Sequence, residues 1–372
     1  MKKKILFLTG TRADFGKIKS LILNIQDSDK FESNVFVTGM HLIKRYGYTL
    51  NELKKANIKN IFTYINQRKN DSASMDIILA NTIIGLSGFV EENKPDLIVV
   101  HGDRVETLAG AIVGSLNNIL VAHIEGGELS GTVDELIRHA VSKLSHAHFV
   151  SNNKAKKRLL KMGEQDSSVF VIGSPEVDIM LSDTLPSIFE VKERYGIHFN
   201  NFDIFCYHSV TTDVSNLKKN IHEVVSALIQ SKRKMIVIFP NNDFGTEIIL
   251  NEFNRIKNNK NFILLPSMRF EYYLTLLKNS QSIIGNSSSG VREAPVYGIQ
   301  TINIGSRQNN RHKSESIFNI LENKRSILNA LLKMKKYSPV KEFGLGNSHT
   351  LFLKILEESS FWKISTQKQF KD

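Results

Sequence analysis

Residues 96–104 read Asp96-Leu97-Ile98-Val99-Val100-His101-Gly102-Asp103-Arg104, an aliphatic run with no polar alternation that ends in an imidazole, a glycine, a carboxylate and a guanidinium. Unbroken apolar runs of this length mark strands covered on both faces, which occur in parallel sheets flanked by crossover helices. The pattern repeats on either side. Residues 4–9 (KILFLT), 33–38 (SNVFVT), 60–64, 120–124 (LVAHI), 148–150 and 169–172 are strand candidates, and 17–27, 74–92, 105–115 and 135–144 read as the helices between them. Such alternation predicts a doubly wound α/β domain. After Gly173-Ser174-Pro175 the chain is polar and turn-rich to about residue 201, and then a second alternating series begins. Its strands are expected at 203–207 (DIFCY), 235–240 (MIVIFP), 262–265 (FILL), 282–285 and 301–305. The expectation is therefore two Rossmann-like α/β domains with a cleft between them, residues 1–174 and 175–350, followed by a helix at 351–361 and a tail anchored by Trp362, the only tryptophan.

Composition agrees with two soluble globular domains: 372 residues, 41% hydrophobic and 23% charged, with 7 prolines. The single cysteine, Cys206, excludes an intrachain disulfide. The basic start is followed by an apolar run that breaks at Thr9-Gly10, short of the roughly 7–15 residues of a secretion signal. No later stretch approaches the roughly 18 apolar residues of a membrane span. A cytoplasmic protein without a membrane partner is expected. The formal charge of +12 raises nucleic acid as a partner. Lysine and arginine are dispersed, however, and the densest clusters, 154–158 and 232–234, are short and lack interleaved aromatics. The excess reads as solvated surface, and no nucleic-acid partner is expected.

In open parallel sheets ligands bind beyond the carboxyl ends of the strands. Five such ends are polar here. Residues 10–17 (GTRADFGK) are not a P-loop, because Gly10 and Gly16 enclose five residues and Ile18 follows Lys17 where a hydroxyl is needed. They read as a glycine-flanked turn at a helix start that carries Arg12 towards an anion. The second and third ends are 101–104 (HGDR) and 123–128 (HIEGGE), and the fourth is 134–139 (DELIRH) at the start of a helix. Carboxylates gathered at one mouth of a sheet suit acid/base work. Asp134 equally suits a helix N-cap, and His123, Glu125 and Glu128 lack a recognised metal-ligand spacing, so no metal is expected. The fifth end, 285–295 (GNSSSGVREAP), offers amides and hydroxyls to a diphosphate, with Glu293 one turn on for vicinal hydroxyls.

Together TGTRADFGK, VTGMH, HGDRVE, HIEGGE, the DE-x-x-RH helix and GNSSSGVREAP resemble the UDP-N-acetylglucosamine 2-epimerases, and specifically their hydrolysing branch, over nearly the whole chain. The resemblance implies the two-domain fold of B-type glycosyltransferases, with the C-terminal segment 351–372 crossing back onto the first domain. It implies removal of the C2 proton with anti-elimination of UDP to 2-acetamidoglucal, then hydration to N-acetylmannosamine, without cofactor or metal. Asp103, Glu125 and Asp134 match the family's carboxylates, and His208 matches its diphosphate-facing histidine. Tyr207 and Ser209 stand where Phe and Pro are more usual. Arg12 matches a basic residue near the diphosphate. Ser287, Ser288 and Gly290 match the phosphate turn, Glu293 the ribose contact, and Arg269 with Phe270 the uracil site. A homodimer acting on a UDP-sugar and releasing UDP is implied. Alternatives are the same chemistry on UDP-2,4-diacetamido-2,4,6-trideoxyglucose, the non-hydrolysing epimerase, a glycosyltransferase of the same fold, and a nucleotide-sugar-binding module. Three carboxylates at strand ends argue against the last two.

Overall fold

The computed structural model describes residues 2–44, 47–67, 74–129, 133–210, 214–240, 245–308 and 312–369. It divides into two compact units, Met1–Leu181 with Glu342–Asp372, and Ser182–Lys341.

The first unit is built on the seven strands β1 (Lys3–Thr9), β2 (Phe31–Val37), β3 (Ile61–Thr63), β4 (Leu97–His101), β5 (Leu120–Ile124), β6 (Ala147–Val150) and β7 (Val169–Val171). They pair in the order β3-β2-β1-β4-β5-β6-β7, every pair parallel. The helices are α1 (Arg12–Gln26), α2 (Leu50–Lys55), α3 (Met75–Asn93), α4 (Val105–Leu116), α5 (Val133–Leu144), α6 (Asn153–Lys161) and α7 (Pro175–Met180). The unbroken apolar run of β4 is explained by its two faces. Leu97 and Val99 enter a core shared with α1, while Ile98 and Val100 enter another shared with α3 and α4. Each of these side chains is at most 1% exposed, and full burial of an aliphatic side chain contributes about 1.5–3 kcal/mol.

The second unit holds α8 (Ile188–Tyr195), β8 (Asp203–Cys206), α9 (Val214–Ser231), β9 (Met235–Ile238), α10 (Thr246–Phe253), β10 (Phe262–Leu265), α11 (Phe270–Lys278), β11 (Ser282–Gly285), α12 (Glu293–Val296), β12 (Gln300–Ile304), β13 (Ile317–Ile320) and α13 (Lys324–Leu331). Its six parallel strands run β10-β9-β8-β11-β12-β13, the order of a Rossmann sheet, which the first unit shares and extends by its edge strand β7. Gly285, at φ +130°, lies where an added Cβ would stand 2.0 Å from the Cys206 carbonyl oxygen, so only glycine lets β11 reach β8 there.

Local details differ from the sequence expectation. α1 begins at Arg12, not near 17, because the Thr11 hydroxyl accepts from Asp14 N at 3.2 Å and caps the helix early. α5 starts at Val133, which puts Asp134 inside the first turn and not at the cap. β13 was not anticipated; its residues are only half-buried at the sheet edge, so they lack a continuous apolar run. The Gly173-Ser174-Pro175 break begins α7, with proline at its first position, and this helix packs on α1 within the first unit.

The last helix, α14 (Ser348–Glu357), belongs to that unit as well. Phe352 is fully buried against Phe149, with ring centroids 4.7 Å apart. The buried Asp178 of α7 accepts from Ser348 N, Ser348 Oγ, His349 N and His349 Nδ1 at 2.7–2.9 Å. Trp362 stacks on Phe31 and donates from Nε1 to Leu356 O at 2.7 Å. Among the described residues no helix is long and apolar enough to cross a membrane.

Asp178→Ala strands the α14 donors inside the unit. A loss of about 2–4 kcal/mol is expected from unsatisfied buried donors, read as a lower denaturant midpoint at unchanged slope. An unchanged midpoint would contradict the anchoring role.

Candidate active site

In both sheets the winding reverses beside the first strand, between β1 and β4 and between β8 and β11. Loops leaving adjacent strands diverge at such a point and open a crevice at the carboxyl ends. The polar strand ends read from the sequence flank these two places.

In the first unit, Gly10 and Thr11 follow β1, Gly102 and Asp103 follow β4, and Glu125 follows β5. Register pairs His101 with Ile124, so Asp103 and Glu125 leave neighbouring strands. Glu125 is 4% exposed and adopts φ +62°. The left-handed region costs a non-glycine residue about 1–2 kcal/mol, and strain of this kind is concentrated at functional sites. Its Oε1 accepts from Ser174 Oγ, while Oε2 lies 3.4 Å from His101 Nε2 and 3.8 Å from Lys17 Nζ. Lys17 also pairs with Glu176 at 2.9 Å. His101 Nδ1 donates to Asp14 Oδ1 at 2.8 Å, and Asp14 Oδ2 accepts from Gly10 N at 3.1 Å. Burial alone would push the His101 imidazole down, but hydrogen bonding to Asp14 and the two carboxylate charges outweigh it and raise it to about 9. Burial likewise acts to raise Asp14, and the hydrogen bond and charge of His101 override it, holding that carboxyl below the usual range.

Asp103 is bound by Arg138 of α5. Asp134 lies four residues before Arg138 and therefore on the same helix face, so the Arg138–Asp103 pair ties that face to the β4 loop. Arg12 pairs with Glu52, Nε to Oε1 at 2.9 Å, so an anion at Arg12 would compete with that carboxylate. His123 turns away from this group: its ring nitrogens meet Gly102 O at 2.8 Å and Ser142 Oγ at 3.1 Å, and burial holds it well below the usual histidine range.

In the second unit, His208 and Asn286 face each other across the β8–β11 switch. His208 N donates to Asn286 Oδ1 at 2.6 Å, and Asn286 Nδ2 donates to His208 O at 2.8 Å. Asn286 O is held by Arg307 Nη1 at 3.1 Å and Gln308 Nε2 at 2.9 Å. Tyr207 is buried and donates its hydroxyl to Glu322 Oε1 at 2.5 Å, an anchor that a Phe would not have. Ser287 caps the short 3-10 turn Ser288–Gly290, whose amide ends and hydroxyls can receive an anion. Gly290 sits where a Cβ would come 2.6 Å from Thr301 Cγ2. Glu293 opens α12 and is 8% exposed. Arg269 and Phe270 start α11, and Tyr273, one turn on, binds Ser289 Oγ, which brings that helix start beside the serine turn.

Asp14, Lys17, Glu176, Tyr273 and Arg307 did not stand out in the sequence, since each is tied to the site by a contact with a residue outside its own sequence motif. A cavity of about 460 Å³ lies at the opposite, amino ends of β6 and β7. There Lys368 already donates to Glu164 and to the Ser142 and Ser145 carbonyls, so the cavity presents no comparable convergence of chemistry.

A profile of the family described as UDP-N-acetylglucosamine 2-epimerase matches residues 23–357. The chain is 44% identical to the UDP-N-acetylglucosamine 2-epimerase of Neisseria meningitidis serogroup B, covering 100% of this chain and 99% of that protein. It is 33% identical to the UDP-N,N′-diacetylbacillosamine 2-epimerase (hydrolyzing) of Legionella pneumophila, over 86% and 85% of the two chains. The crystal structure of UDP-GlcNAc 2-epimerase from Neisseria meningitidis bound to UDP-GlcNAc superposes with a TM-score of 0.81 at 21% identity, covering 95% of this chain and 99% of that one. The two parallel-sheet α/β domains are thus a shared, B-type glycosyltransferase-like fold.

Burial first and Arg307 second push His208 down from 6.5 to about 3, and burial pushes His41 to about 4. Between those values and 6.5 the unfolded chain binds more protons, so stability rises with pH; the contribution is complete above about pH 6.5 and lost towards acid. Side-chain NMR should show neither imidazole titrating between about pH 5 and 8. A midpoint near the free-histidine value for His208 would contradict its burial.

Proposed function

This chain belongs to the UDP-N-acetylglucosamine 2-epimerase family, and we propose that it is a hydrolysing member, converting UDP-N-acetylglucosamine and water to N-acetylmannosamine and UDP. The observation that carries the reading is Glu125, a carboxylate buried and strained at the switch point, with His101 and Lys17 as counter-charges and the Arg138–Asp103 pair on the adjacent strand end. A binding module has no need to bury a charge in this way, because an unmatched carboxylate is expensive there.

In the proposed reaction a carboxylate takes the C2 proton, and the C2–H electrons form the C1–C2 double bond. The bond from C1 to the diphosphate oxygen breaks, and its electrons leave with UDP. Water then adds, its hydroxyl to C1, while an acid delivers a proton to C2 from the opposite face. Asp103, Glu125 and Asp134 divide these transfers. Ser287, Ser288 and Gly290 take the diphosphate, Glu293 the ribose hydroxyls, and Arg269 with Phe270 the uracil. His208, neutral at physiological pH, donates to the leaving diphosphate without adding a charge that burial opposes. Arg12 meets a phosphate only by giving up Glu52.

The activity of the Legionella relative favours a second reading, the same chemistry on a UDP-diacetamido-trideoxy sugar. The proposal also takes the protein as a cytoplasmic homodimer; the apolar outer side of α3, where Ile77 is 51% and Ile84 66% exposed, is surface that a subunit contact would cover.

Proton NMR of the pure protein with each UDP-sugar in D2O should show UDP and free N-acetylmannosamine carrying deuterium at C2. UDP-N-acetylmannosamine would indicate the non-hydrolysing reaction, and turnover of the diacetamido sugar alone the second reading. Retention of protium at C2 would rule out elimination and hydration. Asp103→Asn and Glu125→Gln should each lower turnover at least ~10²-fold, the scale of acid/base groups, with UDP affinity retained. Near-wild-type turnover in both would remove these carboxylates from the chemistry.

A further inference from the structure

The geometry points to His101 as a positioning residue that acts as a permanent imidazolium, locked on one side by Asp14 and holding the Glu125 carboxylate as an anion on the other. The inference rests on the reading of Glu125 as an acid/base group. Asp14, His101 and Glu125 form a consecutive relay of buried side chains, each at most 7% exposed, contributed by α1, the end of β4 and the loop after β5. Asp14 is itself fixed, because Gly10 N donates to Oδ2 while Oδ1 accepts from His101 Nδ1. The imidazole therefore cannot rotate without breaking the shorter contact, and Nε2 is aimed at Glu125 Oε2 at 3.4 Å, an ion-pair distance.

Charged and titratable groups among the described residues face this relay from several elements. Lys17 of α1 faces Glu125 Oε2 at 3.8 Å and is drawn off by Glu176 of α7 at 2.9 Å, so it is the weaker counter-charge. Ser174 supplies a neutral hydrogen bond to Oε1. His123 on β5 is close enough to be disfavoured as a cation by His101, and burial keeps it neutral. On the far side Asp14 is also felt by His41 and Arg104. His101 is thus the cation whose position is most rigidly determined, fixed by Asp14 on one side and set against Glu125 on the other. Its raised titration point, about 9, means the charge persists through the physiological range. The role differs from proton donation: His101 tunes and aims Glu125 without itself exchanging a proton in the cycle.

The test combines nitrogen-labelled histidine NMR on the full-length protein with pH profiles of kcat. In the wild type the His101 ring nitrogens should keep imidazolium shifts to at least about pH 8. Asp14→Asn keeps the shape but removes the fixing charge, so the His101 midpoint should fall towards 6.5 and an alkaline loss of kcat should follow it down. His101→Gln should lower kcat at least ~10-fold with KM changed less than about twofold, and should move the acid limb upwards by about one unit, because a buried carboxylate without its cation ionises later. A purely structural role would lower kcat evenly at all pH values with both limbs in place, and that result overturns the proposal. So does a neutral His101 ring at pH 7 in the wild type, which is decisive even where His101→Gln fails to fold. If the wild type releases UDP from no UDP-sugar, the functional reading fails, while the NMR titration still decides whether the imidazolium exists.

Discussion

A carboxylate taken out of water has to be matched by cations and donors, and Glu125 is where this protein meets that constraint. The residue sits just past β5 in a left-handed conformation, so the backbone is strained to aim the side chain inwards. Around it the fold supplies an imidazole from β4, an ammonium from α1 and a hydroxyl from the segment before α7. Those elements are held in turn by the two cores on either side of the sheet and by α14, whose docking through Asp178 closes over α1 and α7. The C-terminal residues thus belong to the same unit as the crevice and pack on two of the helices that line it.

The second unit meets the problem of an anionic ligand in the opposite way. Its switch point carries a histidine kept neutral by burial, an asparagine locked to that histidine's backbone, and a serine turn with backbone amides. Fixed dipoles of this kind can stabilise an anion without first having to be charged. The first crevice is dominated by paired charges, while the second sets Arg307 and Glu293 among neutral donors, although the winding of the two sheets is alike.

Much of this was legible in the chain. Strands such as 96–100 declared themselves because both faces are buried, and the polar residues after them marked the strand ends that topology turns into crevices. Asp103, Glu125 and the serine turn could be singled out for that reason, and His208 only through the family resemblance. Asp14 and Lys17 could not: they lie on a helix that Thr11 starts earlier than the apolar pattern suggests, and their contact with Glu125 depends on how α1 lies against β4 and β5. Gly173-Ser174-Pro175 looked like a boundary, yet Pro175 opens a helix that stays with the first unit. The hydroxyl bond of Tyr207 to Glu322 joins residues far apart in the chain and was not readable from the sequence. Edge strand β13, half-buried, left too weak a pattern to read.

The account as a whole stands on proton removal from C2 ahead of any attack by water. A rapid-quench single turnover with excess protein over UDP-N-acetylglucosamine addresses this directly. UDP and 2-acetamidoglucal should rise together in equal amounts, with N-acetylmannosamine appearing only as the glycal decays. Release of UDP together with free N-acetylglucosamine, and no glycal at any time, would contradict it.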